Sequence, residues 1–435
     1  MITIKLNNLN RQKSQMKLTT HQKTIITSQA TGMIATSLFT SGVLLSYSQF
    51  LGLSSSAILV LLALPELMGF LIILPSAYYS KNTGIKILGG IGIFLGIIGF
   101  TILLIALFDN QHRILLAFIG VGLIGFGWAM FNSGWYALIG PLVEKNVRGR
   151  FLGILRFSWQ LTSIIFSFIA LYIIRSVENL HIAYTIILIT VIALQIGRLY
   201  LYQKIPDQNE KEKNPVSLIS SVLILIKNSR FMSYCCYIFF LTLFTASSPW
   251  LINLAEKDFL NFTQPQIIFV NTFFYFGNLI GFYIGGVIID RHGTKPVFII
   301  AHFAFGLILI LFVCRDLLIM PYIFSHCFLM LLYGVIFASS SVAITTELYD
   351  VIPFHKILIA GSFFTLVLSL SKFLSAFIYS QVLNLNLLTK NWQLGQFNMN
   401  CYDTILFGNA LMVIMLVMTL GLIPSVQKEN FNSDY

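Results

Sequence analysis

Charge is what this chain has least of. Only 10% of its 435 residues are Asp, Glu, Lys or Arg, where a soluble domain usually carries about 25%. That scarcity excludes an ordinary water-soluble globule. Cysteine is also sparse. Cys235, Cys236, Cys314, Cys327 and Cys401 show neither metal-ligand spacing nor the regular pattern of a disulfide framework. The first 23 residues are polar and basic and lack the apolar core of a cleaved leader, so they read as a retained tail. The seven histidines are scattered over the chain with no nucleophile–base or metal pairing. This argues against a membrane enzyme, whose chemistry needs acid, base or metal-binding groups clustered at one place. No cofactor and no metal is expected.

What remains is apolar. Hydrophobic residues make up 57% of the chain, and its mean hydropathy is +0.83. A hydrocarbon layer of roughly 30 Å needs about 20 apolar residues per helical crossing. Membrane strands would instead read as short alternating segments. Long apolar runs recur throughout, which predicts an all-α polytopic membrane protein with twelve spans. The expected spans are 25–50, 57–78, 86–108, 114–139, 151–174 and 182–202, then 232–255, 267–289, 297–314, 318–345, 357–383 and 404–424. Residues 203–231 separate the two sets of six. They hold the solvated run Lys204 to Lys213, followed by an amphipathic stretch from Val216 to Ile226 suited to a membrane surface. The organisation is thus a tail (1–24), a six-helix bundle (25–202), a linker, a second bundle (232–424) and a tail (425–435).

The net charge of +11 would suggest nucleic acid in a soluble protein. Here it follows from basic loops facing one side of a bilayer. With the amino terminus inside, 19 of the 27 Lys and Arg fall in cytoplasmic segments, five fall outside, and three lie within spans. The bias places both termini in the cytoplasm and the chain in the cell (inner) membrane. The expected partners are lipid, a small solute and protons, with no nucleic acid and a monomeric state.

Deep charges are costly, at about 2.5–3.5 kcal/mol each on insertion scales, so they face water or a partner. Glu66 follows Pro65 near the middle of span 2. Lys372 lies fifteen residues into span 11, about 22 Å along the axis and out of reach of either surface. Arg156 shares a stripe in span 5 with Gly149, Gly153, Gln160, Ser163 and Ser167. On this reading the two glycines admit a neighbouring helix and the rest line a wet cavity, although Arg156 could also snorkel to headgroups. Glu66 is a candidate proton carrier, since desolvation disfavours a charged carboxyl.

The most distinctive letters are Gly286-Val287-Ile288-Ile289-Asp290-Arg291-His292-Gly293-Thr294-Lys295, a charged loop between spans 8 and 9. A weaker copy, Ser80-Lys81-Asn82-Thr83-Gly84-Ile85-Lys86, lies between spans 2 and 3 without the Asp-Arg pair. The pattern G-x-x-x-D-R-x-G-x-K between two hydrophobic runs resembles the loop signature of the major facilitator superfamily of secondary transporters. The six-plus-six layout is similar to that family's parallel repeats. The resemblance implies alternating access, with Gly286, Asp290, Arg291, Gly293 and Lys295 acting as a gate whose Asp290 pairs in one closed state. It also implies that spans 2 and 11 abut across the halves, so that Glu66 and Lys372 can pair and part. Asn132 and Trp135 in span 4, Tyr275 and Asn278 in span 8, and His326 and Tyr333 in span 10 then become candidate cavity residues, each weighed against service as interhelical glue. His326 is additionally a candidate proton relay.

Two of the three deepest charges are basic. They point to an anionic solute, such as a carboxylate or a carboxylate metal chelate. Drug–proton antiporters of the superfamily carry a Gly-Pro signature in helix 5, and span 5 here has no proline. That favours uptake, or a neutral facilitator, over efflux, and protons are the expected coupling ion. The weak first loop keeps open a third reading, a sensor or scaffold that has lost transport.

Overall fold

The computed structural model describes residues 19–139, 148–206, 218–352, 357–394 and 397–419. The first half contains α1 (Thr20–Thr40), α2 (Val43–Phe50), α3 (Ser55–Thr83), α4 (Ile85–Ala106), α5 (Arg113–Ile139), α6 (Arg148–Ser176) and α7 (Leu180–Gln203). A short helix, α8 (Leu218–Lys227), precedes the second half. That half contains α9 (Ser229–Thr245), α10 (Ser248–Asp258), α11 (Gln264–His292), α12 (Thr294–Val313), α13 (Tyr322–Val351), α14 (Ile357–Asn384) and α15 (Cys401–Thr419). Among the described residues eleven helical spans are long and apolar enough to cross a membrane, α9 and α10 counting as one. The pair α1–α2, bent by 51°, makes a twelfth.

Successive spans run up and down, so odd-numbered connections lie on one face of the bundle, called here the far face. Even-numbered connections lie on the other, the terminal face, with residues 19 and 419. Two features depart from the expected straight spans. Span 1 breaks at Ser41–Gly42, where Gly42 takes φ +84°, a conformation that favours glycine. Span 7 breaks at Ala246–Ser247. The first helix of each half is therefore in two pieces, with the shorter piece toward the far face. Between spans 11 and 12, where only a loop was expected, Asn391–Leu394 and Phe397–Asn400 form an antiparallel hairpin.

The connection at 286–296 is also not a loop. Helix α11 runs through Asp290 and Arg291 to His292, and Gly293 alone (φ +80°) turns the chain into α12. Gly84 (φ +95°) does the same between α3 and α4. The two positions paired by the sequence repeat are thus the same one-residue device. The linker helix α8 leaves Leu223, Ile224 and Ile226 exposed, as a helix lying on a lipid surface would.

Small residues let backbones touch. A Cβ on Gly92 of α4 would stand 2.4 Å from the Gly127 carbonyl of α5, and one on Gly277 of α11 would stand 2.1 Å from the Leu331 carbonyl of α13. Each bundle also holds buried polar ties. His302 bridges Tyr237 (2.6 Å) and Ser340 (2.7 Å), joining α12, α9 and α13. Near the far face Arg315 donates two hydrogen bonds to Asp403, at 2.5 and 3.0 Å. Burial opposes the Arg315 charge, and the hydrogen bond and charge of Asp403 outweigh it, holding the guanidinium above its ordinary pKa.

Candidate functional site between the two halves

Glu66 and Lys372 meet across the halves: Lys372 Nζ donates to Glu66 Oε1 at 3.0 Å. The local sequence explains how. Pro65 removes a backbone donor from the interior of α3, directly beside Glu66. Gly69, one turn beyond Glu66, lets α14 close in. A Cβ there would lie 2.6 Å from the hydroxyl of Ser369, one turn before Lys372. The helices are antiparallel, so the Gly69–Ser369 contact sets the register that brings the ion pair together. Their side chains are 40% (Lys372) and 26% (Glu66) exposed. Charge at mid-span is tolerated only where water or a partner meets it, and each member of this pair is the other's partner.

The face of α11 carrying Asn271, Tyr275, Asn278 and Phe282 is used along its whole length. Asn271 donates to Asn253 of α10 at 3.0 Å, and its amide lies 3.1 Å from where a Cβ on Gly42 would be. Tyr275 shares a 2.7 Å hydrogen bond with Thr40 of α1. Asn278 donates to Gln160 of α6 at 3.4 Å. Arg156 of α6 stands over the Phe282 ring at 5.3 Å. In this conformation Tyr275, Asn278 and Gln160 therefore bridge the halves. Ser163 instead bonds Ser37 of α1 at 2.7 Å.

Three further contacts join the halves toward the far face. Ser55 donates to Asp258 (2.9 Å), Ser380 donates to the Ser56 carbonyl (2.8 Å), and Tyr184 donates to Gln264 (2.9 Å). Asp258 also accepts from Tyr402 of its own half at 2.6 Å. The named polar contacts thus run from the far face to the middle. Nearer the terminal face Asn132 is exposed and Gly153 has open space where a Cβ would point. Among the described residues the named hydrogen bonds between the halves lie at the far face and the middle, and Asn132 and Gly153 are exposed nearer the terminal face.

Several expected cavity residues lie elsewhere. Trp135 is buried against Phe131 in the core of the first bundle, because aromatic spacing alone does not distinguish a core face from a cavity face. Tyr333 is buried and donates to the Thr245 carbonyl (3.0 Å), which lies at the break in span 7. His326 is buried against Glu256 of α10, a residue the charge pattern had placed beyond the end of its span. Gly153 brings no neighbouring helix close, and the side chain environment at position 149 lies outside the described residues. Asp290 and Arg291 are exposed, and neither has an ion-pair partner among the described residues. The polar tie at this corner is instead Thr294 donating to Glu347 at 2.6 Å. Gly286 has open space around it and Lys295 lies in the first turn of α12. The side chains of Lys81 and Asn82 in the weaker copy are outside the described residues.

Two six-span bundles, each opening on a broken helix and meeting along a polar seam, have the architecture of a secondary transporter. The profile of the Major Facilitator Superfamily matches residues 25–376, and the chain belongs to that family. It is a multi-pass membrane transporter, not an enzyme. Solved structures agree in fold. A variant of the nucleoside transporter NupG superposes with a TM-score of 0.68 at 15% identity, covering 94% of this chain and 100% of its own. NupG itself gives 0.65 at 14% identity, covering 94% and 99%. No curated protein sequence matches the chain significantly.

Proposed function

We propose that this transporter takes up a small organic anion together with a proton, and that the Glu66–Lys372 pair couples the two. The observation that carries this reading is a mid-span ion pair between the halves whose two side chains are partly exposed. While Glu66 is charged it neutralises Lys372 and holds α3 to α14. A proton on Glu66 releases Lys372, whose ammonium then receives the carboxylate or other anionic group of the solute. Without a proton the ammonium stays with Glu66. Without a solute, a protonated Glu66 leaves Lys372 as a lone charge at mid-depth, which is unfavourable. Each ligand therefore favours the other. Loading both neutralises the site, so the halves can rock around it.

The basic bias of the connections supports a terminal face in the cytoplasm and a far face outside, in a cell membrane. The described conformation is then the one closed to the outside. The cycle needs one chain, consistent with a monomer whose other partners are lipid and protons.

The test is uptake into proteoliposomes with a pH gradient and a separately clamped membrane potential. The panel holds carboxylates, carboxylate metal chelates and uncharged solutes, nucleosides among them. A proton carried with a monoanion moves no net charge, so uptake is expected to follow the pH gradient and ignore the potential. Flux of an uncharged solute that responds to both would refute the anion and keep proton coupling. Export driven by the same gradient would reverse the direction. No gradient-dependent flux of any solute would favour a sensor or scaffold.

A further inference from the structure

One buried acid–base pair has no part in the midplane site. His326 Nδ1 and Glu256 Oε1 are 2.7 Å apart, with side-chain exposures of 4% and 0%. The Phe262 and Phe312 rings lie 5.6 and 5.4 Å from the imidazole. The outer atoms, Glu256 Oε2 and His326 Nε2, have no hydrogen-bond partner. The pair is thus sealed from water and complete only in itself.

Its two members sit on different kinds of helix. His326 belongs to α13, which is unbroken from Tyr322 to Val351. Glu256 belongs to α10, the far-face piece of span 7 beyond the break at Ala246–Ser247. The end of α10 is also where the halves meet, since Asp258 accepts from Ser55 of the first half. Opening the far face must separate Asp258 from Ser55. If α10 swings with that motion about the break, Glu256 is drawn away from His326 and both become wet.

We propose that Glu256 and His326 form a proton-binding site that takes up a proton from the far-face solution as that gate closes. The proposal rests on alternating access and is independent of the coupling role given to Glu66 and Lys372. The proton count follows from elementary values. Buried together, the pair stays neutral only by holding one proton, on either member, because a lone charge in such a place is strongly disfavoured. Wet and apart at pH 7, the carboxyl is empty and the imidazole is about one-quarter protonated. Closing therefore takes up about three-quarters of a proton. By linkage, the closed-to-open ratio rises roughly five- to eightfold as the pH falls from 8 to 7, and it levels off near pH 5.5, where the wet pair already holds about one proton.

Other ionisable groups near the pair are engaged elsewhere. On α10, Lys257 and Asp258 lie 3.6 Å apart, and Asp258 also accepts from Tyr402 of α15. Asp403 of α15 holds Arg315, while Asp316 accepts from Tyr322 of α13. Cys327 of α13 and Cys401 of α15 are buried thiols. The nearby polar group of α11 is the amide of Asn271.

The experiment uses the full chain in nanodiscs, without substrate or gradient. Spin labels are carried on unnatural residues at Asn110 and Lys390, which are exposed on the far face, one in each half. Pulsed distance measurements from pH 5.5 to 8 report the closed fraction. The wild-type protein is expected to show the slope above, and a flat profile overturns the proposal before any variant is made. Glu256→Gln is expected to invert the slope, weakly between pH 8 and 7 and by about eightfold between pH 7 and 5.5, because closing then expels protons from His326. Glu256→Gln combined with His326→Asn is expected to abolish it. If Glu66→Gln abolishes the slope instead, the proton belongs to the midplane pair and the proposal falls. If the slope persists while uptake proves independent of the proton gradient, the coupling reading fails and this one stands.

Discussion

Removing Lys372 strands Glu66 at mid-depth, and the size of the effect can be bounded. An exposed ion pair is worth about 0.2–1 kcal/mol, and breaking a fully buried one costs about 3–5 kcal/mol. The Lys372 and Glu66 side chains are 40% and 26% exposed, so the cost lies between, at about 1–3 kcal/mol. Lys372→Ala and Glu66→Gln should each destabilise the protein by about that amount. The double variant leaves no stranded charge and should recover at least about 1 kcal/mol of the summed loss. Denaturation of the four proteins in one detergent closes the cycle, and proteoliposome uptake is measured beside it. Transport should fall at least tenfold in all three variants, because stability is recovered without recovering the switch. Strictly additive losses would show that the two side chains do not interact, and unchanged uptake with an unchanged pH profile in Lys372→Ala would remove the pair from the mechanism.

Gly69→Val should separate the same pair without touching either charge, since its first carbon would lie 2.6 Å from Ser369. Uptake should fall as in Glu66→Gln, and a restored rate on adding Ser369→Gly would confirm the steric route. Arg315→Met leaves Asp403 buried and unpaired and should cost about 3–5 kcal/mol in chemical denaturation. Adding Asp403→Asn should return more than half of it. Gly293→Ala meets nothing within 4 Å but inherits φ +80° with ψ −178°, so it should cost about 1–3 kcal/mol from backbone strain alone. A larger loss would mean that the turn also packs against a partner.

Much of this architecture was legible in the letters, for physical reasons that also explain the misses. Hydrocarbon imposes a length and an apolar composition on every crossing, so the spans could be counted. Depth made Lys372 stand out, and Pro65 beside Glu66 marked a local weakness in α3. Span ends were read from where charges begin, and that rule fails when a charge is paired inside the bundle. Glu256 lies one residue beyond the expected end of span 7, and Asp403 one residue before the expected start of span 12, yet both are buried in helices against partners distant in sequence. The breaks in spans 1 and 7 were hidden because a single Gly42, or the pair Ser247-Ser248 before a proline, does not interrupt an apolar run. Trp135 and Tyr333 show a third limit. Helical spacing groups residues on one face, and only packing decides whether that face meets water or other helices.

The chemistry of the seam fits a device that must open as readily as it closes. Six named hydrogen bonds cross between the halves, and only one of them joins two full charges. Polar contacts between helices in membranes average about 0.6 kcal/mol, so the five crossing contacts other than the ion pair sum to about 3 kcal/mol, and the pair adds about 1–3 kcal/mol. A gap of that size holds one conformation dominant while leaving the other within reach of ligand binding, since differential affinity of a few kcal/mol is what a ligand can supply. A seam of buried ion pairs like Arg315–Asp403 would hold the halves shut against any plausible solute. The doubly hydrogen-bonded Arg315–Asp403 pair instead lies within the second half, where it ties α15 to the turn after α12, and the weaker contacts lie between the halves, where motion is required. The midplane pair is the exception: partly exposed and therefore weakened, it is the one named crossing contact that joins two full charges, so a proton on Glu66 would change it most.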